Sequence, residues 1–431
     1  MSFSRRQLLL SSSAALLASG PVRGQPLVQR PKRLVYVFAD GGWDTSYCID
    51  PKPRTAAIDG PWFDEDASNP DDVEYFAQIG EYRIALNDYK RPSVTQFFRQ
   101  YGPRCSVVAG IWTGAIAHDT SRVRILTGTT DANRPDLGTI VGASLGSDLA
   151  LGCVDLSGLS LSGHLAASTG QVGFQSQIGT LLNPVSSFPR PKRLNDLYEV
   201  YTPNQDERAM LRAHLNRRTE RFGMLHGDSG HNDQRIADRL ESMQRADRFF
   251  DEGRALLQDL TPGKRPTLDL QIRLGTDLLK NDLCRSIVLE TGQHWDSHDN
   301  NERQHEYFEE TFRGLNLLAE ELDAKGLAED TLVLVISEMS RTPLRNGRNG
   351  KDHWPHSAAL MFGAGFPTGR LFGGTTNTLE SQAIDLASGS LYKGGSILKY
   401  DNFAAGMLAG FDIDPGDWYP GVEPFTGWFS S

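Results

Sequence analysis

Short apolar runs, several of them rich in β-branched residues, alternate along this chain with segments of helical periodicity. The runs are Arg33–Ala39, Cys105–Ile111, Arg285–Glu290, Thr331–Ile336 and Ala358–Phe362. Between two of them, Glu302–Lys325 places apolar residues at three- and four-residue spacing, which is typical of an amphipathic helix packed on a sheet. Strands that alternate with helices usually pair in parallel. The pattern therefore predicts an α/β fold with a mostly parallel sheet.

The segment at about residues 203–260 is polar and carries mixed charges at helical spacing. It interrupts the alternation of strands and helices, and we expect it to be a helical insertion. The rest of the chain shows no internal repeat. We therefore predict a single large domain over residues 30–431 that carries this insertion.

The N-terminus differs in composition from the rest of the chain. In residues 1–24, Arg5 and Arg6 directly precede the weakly apolar run Leu8–Ala18, which predicts a twin-arginine signal peptide. The alternative to a signal peptide is a frayed amphipathic terminus. A membrane span is not expected, because the apolar run is shorter than the roughly 20 residues that span a bilayer. We expect the twin-arginine export machinery as a partner, a periplasmic or secreted location, and no stable membrane span.

The overall composition excludes several classes of protein. The chain has 44 basic and 54 acidic residues and a formal net charge of −10, so nucleic acid is not an expected partner. Its four cysteines show no C-x-x-C spacing, which argues against a zinc knuckle and favours small buried side chains, although one disulfide stays open. No G-x-G-x-x-G follows a predicted strand, so we predict no nucleotide cofactor.

Acidic residues and histidines gather after the predicted strands. The four clusters are Phe38–Asp44, His294–Asp299, Ser337–Pro343 and Lys351–His356. In doubly wound α/β sheets, ligands bind beyond the carboxyl ends of the strands, where such clusters would meet. Carboxylates and imidazoles together suit a divalent cation such as Zn, Mn, Mg or Ca. For any single cluster the alternative is a loop that caps a helix or packs on tryptophan.

The segment Ala117–Thr129 resembles the sulfatase signature C-x-P-S-R-x-x-L-x-T-G-R. The matching positions are Ser121, Arg122, Thr127 and Gly128, with Ile125 in place of leucine. His118 holds the place of the nucleophilic cysteine, and Thr120 and Thr129 replace the proline and the last arginine. The blocks at 292–300, 337–343 and 352–355 are similar to motifs of an exported, largely uncharacterised family of the alkaline phosphatase and sulfatase superfamily. The resemblance runs from about Arg33 to Gly406 and leaves out the helical insertion.

The resemblance implies an α/β/α sandwich of the alkaline phosphatase type, with metal ligands at the strand ends. Carried over position by position, it implies a set of metal ligands in which Glu338 stands where an aspartate is usual. The set is Asp40, Asp296, His298, Glu338, Asp352 and His353.

Two functions follow from this resemblance. The first is a periplasmic metal-dependent hydrolase of phosphate or sulfate esters, acting on a small anionic ester, with His118, Arg122 and Arg341 as catalytic residues. In this hydrolase, Arg122 or Arg341 offsets the negative charge that develops on the ester, and we expect water to attack the ester in preference to a covalent step at His118. The second is a catalytically inactive, metal-stabilised binding or assembly protein of the same fold. The histidine in the nucleophile position favours the second.

Overall fold

A computed structural model of the chain describes residues 30–171, 205–226, 230–253, 255–256, 260 and 265–428. The predicted twin-arginine signal at residues 1–24 lies outside the described residues, so export stays a prediction. None of the described helices combines the length and the apolar character that a membrane span requires.

Most of the described strands belong to one large sheet. The strands are β1 (Arg33–Phe38), β2 (Tyr75–Ile79), β3 (Tyr82–Leu86), β4 (Cys105–Trp112), β5 (Cys153–Asp155), β6 (Thr169–Gln171), β7 (Ser286–Glu290), β8 (Thr331–Ile336), β9 (Ser340–Arg341), β10 (His353–Trp354), β11 (His356–Gly363), β12 (Leu371–Gly373), β13 (Ala383–Ile384) and β14 (Ser396–Ile397). The large sheet has the order β12-β4-β11-β8-β1-β7-β5-β6. The other strands form the two-stranded pairs β2-β3, β9-β10 and β13-β14.

Helices connect the strands and cover both faces of the sheet. They are α1 (Pro92–Tyr101), α2 (His118–Thr127), α3 (Leu137–Leu145), α4 (Gln205–His226), α5 (Gly230–Gly253), α6 (Leu268–Lys280), α7 (Arg303–Lys325) and α8 (Tyr400–Gly410). Helix α7 begins one residue after the start of the predicted amphipathic helix. Helices α4 and α5 pack together within the segment predicted as an insertion, and the extent of that insertion as a unit stays a prediction.

The sheet is mostly parallel. Strand β1 pairs in parallel with β7 and β8, and β5 and β12 also pair in parallel with their neighbours. Strand β11 is the exception, because it runs antiparallel to both β4 and β8. Between β8 and β11 the chain forms the β9-β10 hairpin and no crossover helix, so it returns from the edge at which β8 ends. The predicted α/β fold with a mostly parallel sheet is confirmed.

Two apolar layers enclose the sheet. Alternate side chains of a strand point to opposite faces, and in β1 Val35 and Val37 face one core while Leu34 and Tyr36 face the other. The first core is filled by α1, α6 and α7, and the second by α3 and α8. The sheet is thus sandwiched between helices, which fixes the ends of its central strands relative to one another.

The four cysteines are buried and carry free thiols. Burial raises the pKa of each thiol, that of Cys284 to about 12. A thiol that stays protonated is a poor nucleophile and a poor metal ligand. The cysteines therefore act as small core side chains.

Candidate metal centre

The carboxyl ends of β1, β4, β7 and β8 meet at one edge of the sheet. Asp40 follows β1, Asp296 follows β7, and Glu338 follows β8. Helix α2 begins at His118, six residues after the end of β4. The β9-β10 hairpin adds His353, since Arg341 pairs with His353 across it. Five segments that are distant in sequence therefore meet at this edge.

A glycine turn lets the loops after β1 and β7 lie against each other. Gly41 has φ +116°, and a Cβ atom there would lie 2.7 Å from the backbone nitrogen of Trp295. Both the positive φ and the close approach therefore require glycine. The amide of Gly41 donates to Oε1 of Glu338 at 2.8 Å, and Trp295 N donates to Asp40 O at 3.1 Å. These two bonds hold the loops after β1, β7 and β8 together beneath the site.

Asp296 lies at the centre of a cluster of imidazoles. Its carboxylate oxygens are 3.4 Å from Nε2 of His118, 3.2 Å from Nε2 of His298 and 3.6 Å from Nε2 of His353. Within the described residues, His118, Asp296 and His353 offer ligand atoms that all lie within 4.8 Å of one another. Their side chains are 23%, 24% and 19% exposed, so the cluster is open to solvent on one side.

Each imidazole of the cluster is oriented through its other nitrogen. Nδ1 of His118 lies 2.9 Å from Oε1 of Glu338, and Nδ1 of His298 lies 2.9 Å from Oδ1 of Asp352. Nδ1 of His353 lies 2.5 Å from the carbonyl oxygen of Ile116. A carbonyl oxygen or an ionised carboxylate only accepts hydrogen bonds, so every Nδ1 donates and every neutral ring presents the lone pair of Nε2 to the cluster. Metal-ligating histidines are held in this way.

The polar atoms at the centre fit a cation. Nε2 of His118 and Oδ1 of Asp296 are buried, and neither makes a well-aligned hydrogen bond in the described part of the chain, although Oδ1 forms an ion pair with Nη1 of Arg341 at 2.9 Å. The Nε2 atoms of His298 and His353 face each other at 2.9 Å. In the neutral rings these two nitrogens both carry lone pairs, which repel unless a proton or a metal ion lies between them. Two nitrogens and a carboxylate oxygen are a ligand set that zinc and similar divalent ions accept.

The electrostatics of the cluster are strongly coupled. The carboxylates of Asp296 and Glu338 raise the pKa of His118 to about 9. In the metal-free protein His118 is therefore protonated on both nitrogens at neutral pH, and a metal ion would replace the proton on Nε2. Burial opposes ionisation of Asp296, but contacts with His118 and His353 and the charges of Arg341 and His298 hold the pKa of its carboxyl well below its usual range. Asp296 is therefore an anion at neutral pH, which is the form that binds a cation.

Arg341 is fully buried and holds the loops of the site together. It donates hydrogen bonds to four backbone carbonyl oxygens, those of Gly41, Gly42 at 2.7 Å, Trp295 at 3.2 Å and Lys351 at 3.3 Å. Its Nη1 also lies 2.9 Å from Oδ1 of Asp296. The guanidinium thus ties the loops after β1 and β7 to the β9-β10 hairpin. This bonding suits a positioning role, and the predicted catalytic role of Arg341 stays a prediction.

Arg122 pairs with Asp40, the residue expected to bind metal. Nε and Nη2 of Arg122 donate to Oδ1 of Asp40 at 3.0 and 2.9 Å, and Nη2 also donates to Oδ2 at 3.1 Å. Nη1 points to the fully exposed carboxylate of Asp119 at 3.6 Å. One edge of the guanidinium is therefore engaged by Asp40, while the other edge faces the outside.

The predicted site residues thus fall into three groups. Asp296, His353 and His118 form the cluster itself, with His298 beside it. Glu338 accepts from Nδ1 of His118, and Asp352 accepts from Nδ1 of His298. Asp40 pairs with Arg122. Arg341 positions Asp296 and the loops. The role of each as a metal ligand or a catalytic residue stays a prediction. His118, expected as a catalytic residue, lies in the cluster itself, whereas Asp40, expected as a metal ligand, contacts Arg122.

Sequence reasoning missed two supports of the site. The carbonyl of Ile116 orients His353, and no side-chain motif reports a backbone oxygen. Lys351 and Asp44 form a fully buried ion pair of 2.7 Å, and Asn301 and Ser46 also donate to Asp44. Both charged residues lie inside the predicted clusters, and a lysine next to an acidic strand-end cluster is the signal that could have suggested the pair.

Comparison with protein families identifies the chain. Residues 31–386 match the model of a family described as a protein of unknown function, DUF1501. The chain belongs to this family. The matched residues of the DUF1501 chain include the whole cluster of His118, Asp296 and His353 and the residues that orient it. No match was found among curated proteins.

Three solved structures are distantly similar to the chain. One is a Bacteroides thetaiotaomicron protein from work on glycosaminoglycan metabolism, with 12% identity, a TM-score of 0.40 and 94% of this chain and 77% of that chain covered. The lipoteichoic acid synthase LtaP of Listeria monocytogenes is 8% identical with a TM-score of 0.37, and the match covers 93% of this chain and 76% of that chain. The alkaline phosphatase of the Antarctic bacterium TAB5 is 9% identical with a TM-score of 0.31, and the match covers 78% of this chain and 92% of that chain. TM-scores this low carry no argument about the chemistry of the DUF1501 chain.

Proposed function

We propose that this protein is a metal-dependent hydrolase of phosphate or sulfate esters that acts in the periplasm or outside the cell. One observation carries the proposal: His118, Asp296 and His353 direct ligand atoms to one partly exposed point, and each imidazole is held by an acceptor at Nδ1. Structural zinc sites have four protein ligands, whereas catalytic sites have three and leave a position for water or substrate. The cluster of His118, Asp296 and His353 is open to solvent on one side, even with His298 beside it, and such an open position favours catalysis.

The bound ion would supply Lewis-acid chemistry and lower the pKa of a coordinated water. His118 and His353 give it nitrogen ligands and Asp296 gives it a negative charge. Glu338 and the carbonyl of Ile116 keep the two rings in the tautomer that exposes Nε2. Both nitrogens of His118 are committed in this arrangement, so we propose that water attacks the ester and that no covalent intermediate forms at His118.

Arg122 is the group proposed to receive the anionic ester. Asp40 holds the guanidinium by Nε and Nη2, which leaves Nη1 directed outward. The contact of Nη1 with Asp119 is weak, because the carboxylate of Asp119 is fully exposed and 3.6 Å away. A phosphate or sulfate oxygen can replace it, since a guanidinium binds such oxygens directionally.

Turnover of two esters tests the proposal. Protein loaded in turn with Zn²⁺, Mn²⁺, Mg²⁺ and Ca²⁺ is assayed with p-nitrophenyl phosphate and p-nitrophenyl sulfate. We expect His353→Ala to lose both metal and activity. Arg122→Ala should keep its metal and lose about 100-fold in kcat/KM, as when a charge-stabilising donor is removed. His164→Ala is the matched control, because His164 is exposed, stacks on Trp418 and is not one of the cluster residues, so its loss should leave activity unchanged.

One observation favours the rival function, an inactive metal-stabilised binding or assembly protein. The two arginines proposed to offset charge already have partners inside the protein, Arg122 with Asp40 and Arg341 with four carbonyls. The same assay decides between the two. If the fully metallated wild type turns over neither ester with any of the four ions, the hydrolase proposal fails and the binding role replaces it.

A further inference from the structure

A serine and a histidine outside the metal cluster form a close pair. Oγ of Ser381 lies 2.7 Å from Nδ1 of His356. His356 is the first residue of β11, and Ser381 lies in the loop before β13. Both side chains are partly exposed. Neither residue takes part in the hydrolase proposed above.

The backbone fixes the direction of this hydrogen bond. The amide of Ser381 also points at Nδ1 of His356, at 3.2 Å. A backbone N–H only donates, so Nδ1 carries the lone pair and the neutral ring has its hydrogen on Nε2. The hydroxyl of Ser381 must then donate to Nδ1 as well. Burial lowers the pKa of His356, which keeps the ring neutral near pH 7. His356 is thus in the form that accepts a proton from Ser381.

The loop that carries Ser381 is held rigidly. Leu379 adopts φ +57°, a left-handed conformation that a branched side chain rarely takes. Its carbonyl accepts a hydrogen bond of 2.9 Å from Nε1 of Trp354, and the ring of Trp354 lies 5.5 Å from that of His356. The amide of Glu380 donates to Oγ1 of Thr376 at 3.2 Å. Local strain that is held in place by its surroundings is common at functional sites.

We propose that Ser381 is a nucleophile, activated by His356, that reacts with carboxylic esters in a metal-independent second activity. Oγ of Ser381 forms a bond to the acyl carbon, the bond from that carbon to the alcohol oxygen breaks, and the proton of the hydroxyl passes by way of His356 to the departing alcohol. Water then attacks the acyl group, gives its proton to His356 and releases the acid, and the proton returns to Ser381. The net reaction is hydrolysis of one ester bond by one water.

A fluorophosphonate probe tests the proposal in protein treated with EDTA. The probe forms a P–O bond to an activated serine and loses fluoride together with the hydroxyl proton. We expect one labelled peptide, which contains Ser381, and slow hydrolysis of p-nitrophenyl acetate. Ser381→Ala should abolish both signals, and His356→Ala should slow labelling about 100-fold, as for loss of a general base. Ser390→Ala, a change at an exposed serine in the following loop, should label like wild type.

The results separate this proposal from the hydrolase proposal. EDTA should remove phosphate or sulfate ester turnover and leave the labelling of Ser381 intact. Ser381→Cys keeps a nucleophile in the same place and should react faster with iodoacetamide than the same variant that also carries His356→Ala. Absence of label at Ser381 in the wild type, or equal labelling rates with and without His356, would overturn the proposal whatever the metal centre does.

Discussion

Replacement of Arg341 by lysine should destabilise the fold strongly although the charge is kept. The guanidinium makes four hydrogen bonds to backbone carbonyls and an ion pair with Asp296, all in a fully buried position. A lysine ammonium has three N–H donors, so at least two of these five acceptors lose their partner. Each buried acceptor left without a donor costs about 1–3 kcal/mol. We expect the free energy of unfolding to fall by about 4 kcal/mol.

Urea unfolding followed by circular dichroism measures this loss. Arg370→Lys is the control, because Arg370 pairs with Glu81 at the surface and such pairs contribute about 0–1 kcal/mol. The Arg341→Lys variant should unfold at a clearly lower urea concentration than both the control and the wild type. If both variants unfold within about 1 kcal/mol of the wild type, the argument that Arg341 holds the three loops together is wrong.

Three further predictions concern single features. In EDTA-treated protein, His118 has its pKa raised from 6.5 to about 9, so the stability it gives is complete below pH 6.5 and is lost as the pH rises through 9. Wild type should lose about 3 kcal/mol across this window and His118→Gln much less, and parallel pH profiles of the two proteins would count against the pKa shift. Glu338→Gln should weaken metal binding 10- to 100-fold in calorimetry, because the carboxylate that orients His118 becomes an amide; an unchanged Kd would contradict this role. Replacement of Arg5 and Arg6 by lysine should leave the precursor in the cytoplasm in cell fractionation, and undiminished export would refute the twin-arginine assignment.

The elements with strong local patterns could be predicted from the sequence. The apolar run at Thr331–Ile336 coincides with β8, and the periodic segment at Glu302–Lys325 became α7. Periodicity reports whether a segment is a strand or a helix, but strand direction depends on the connection. The antiparallel course of β11 follows from the β9-β10 hairpin, which connects β8 to β11. Strands β9 and β10 have only two residues each. Runs that short carry no readable period.

The position of the site was predictable, and its bonding was not. Parallel strands bring their carboxyl ends to one edge, so clusters at Asp40, Asp296 and Glu338 were expected to meet there. Which atoms touch depends on loop paths that no periodicity encodes. Asp40 therefore pairs with Arg122, and Glu338 orients His118 through Nδ1. Both residues lie where the sequence predicted, but their contacts are with side chains that surround the cluster.

The most direct test of the account is the metal content of the purified protein. The cluster of His118, Asp296 and His353 predicts about one tightly bound divalent ion per chain by inductively coupled plasma mass spectrometry after dialysis. His353→Ala and Asp296→Ala should lose that ion, and His164→Ala should keep it. Binding should also raise the melting temperature of the wild type, because the ion binds the folded chain alone. Wild-type protein that retains no divalent ion and takes up none of Zn²⁺, Mn²⁺, Mg²⁺ or Ca²⁺ would contradict the metal centre.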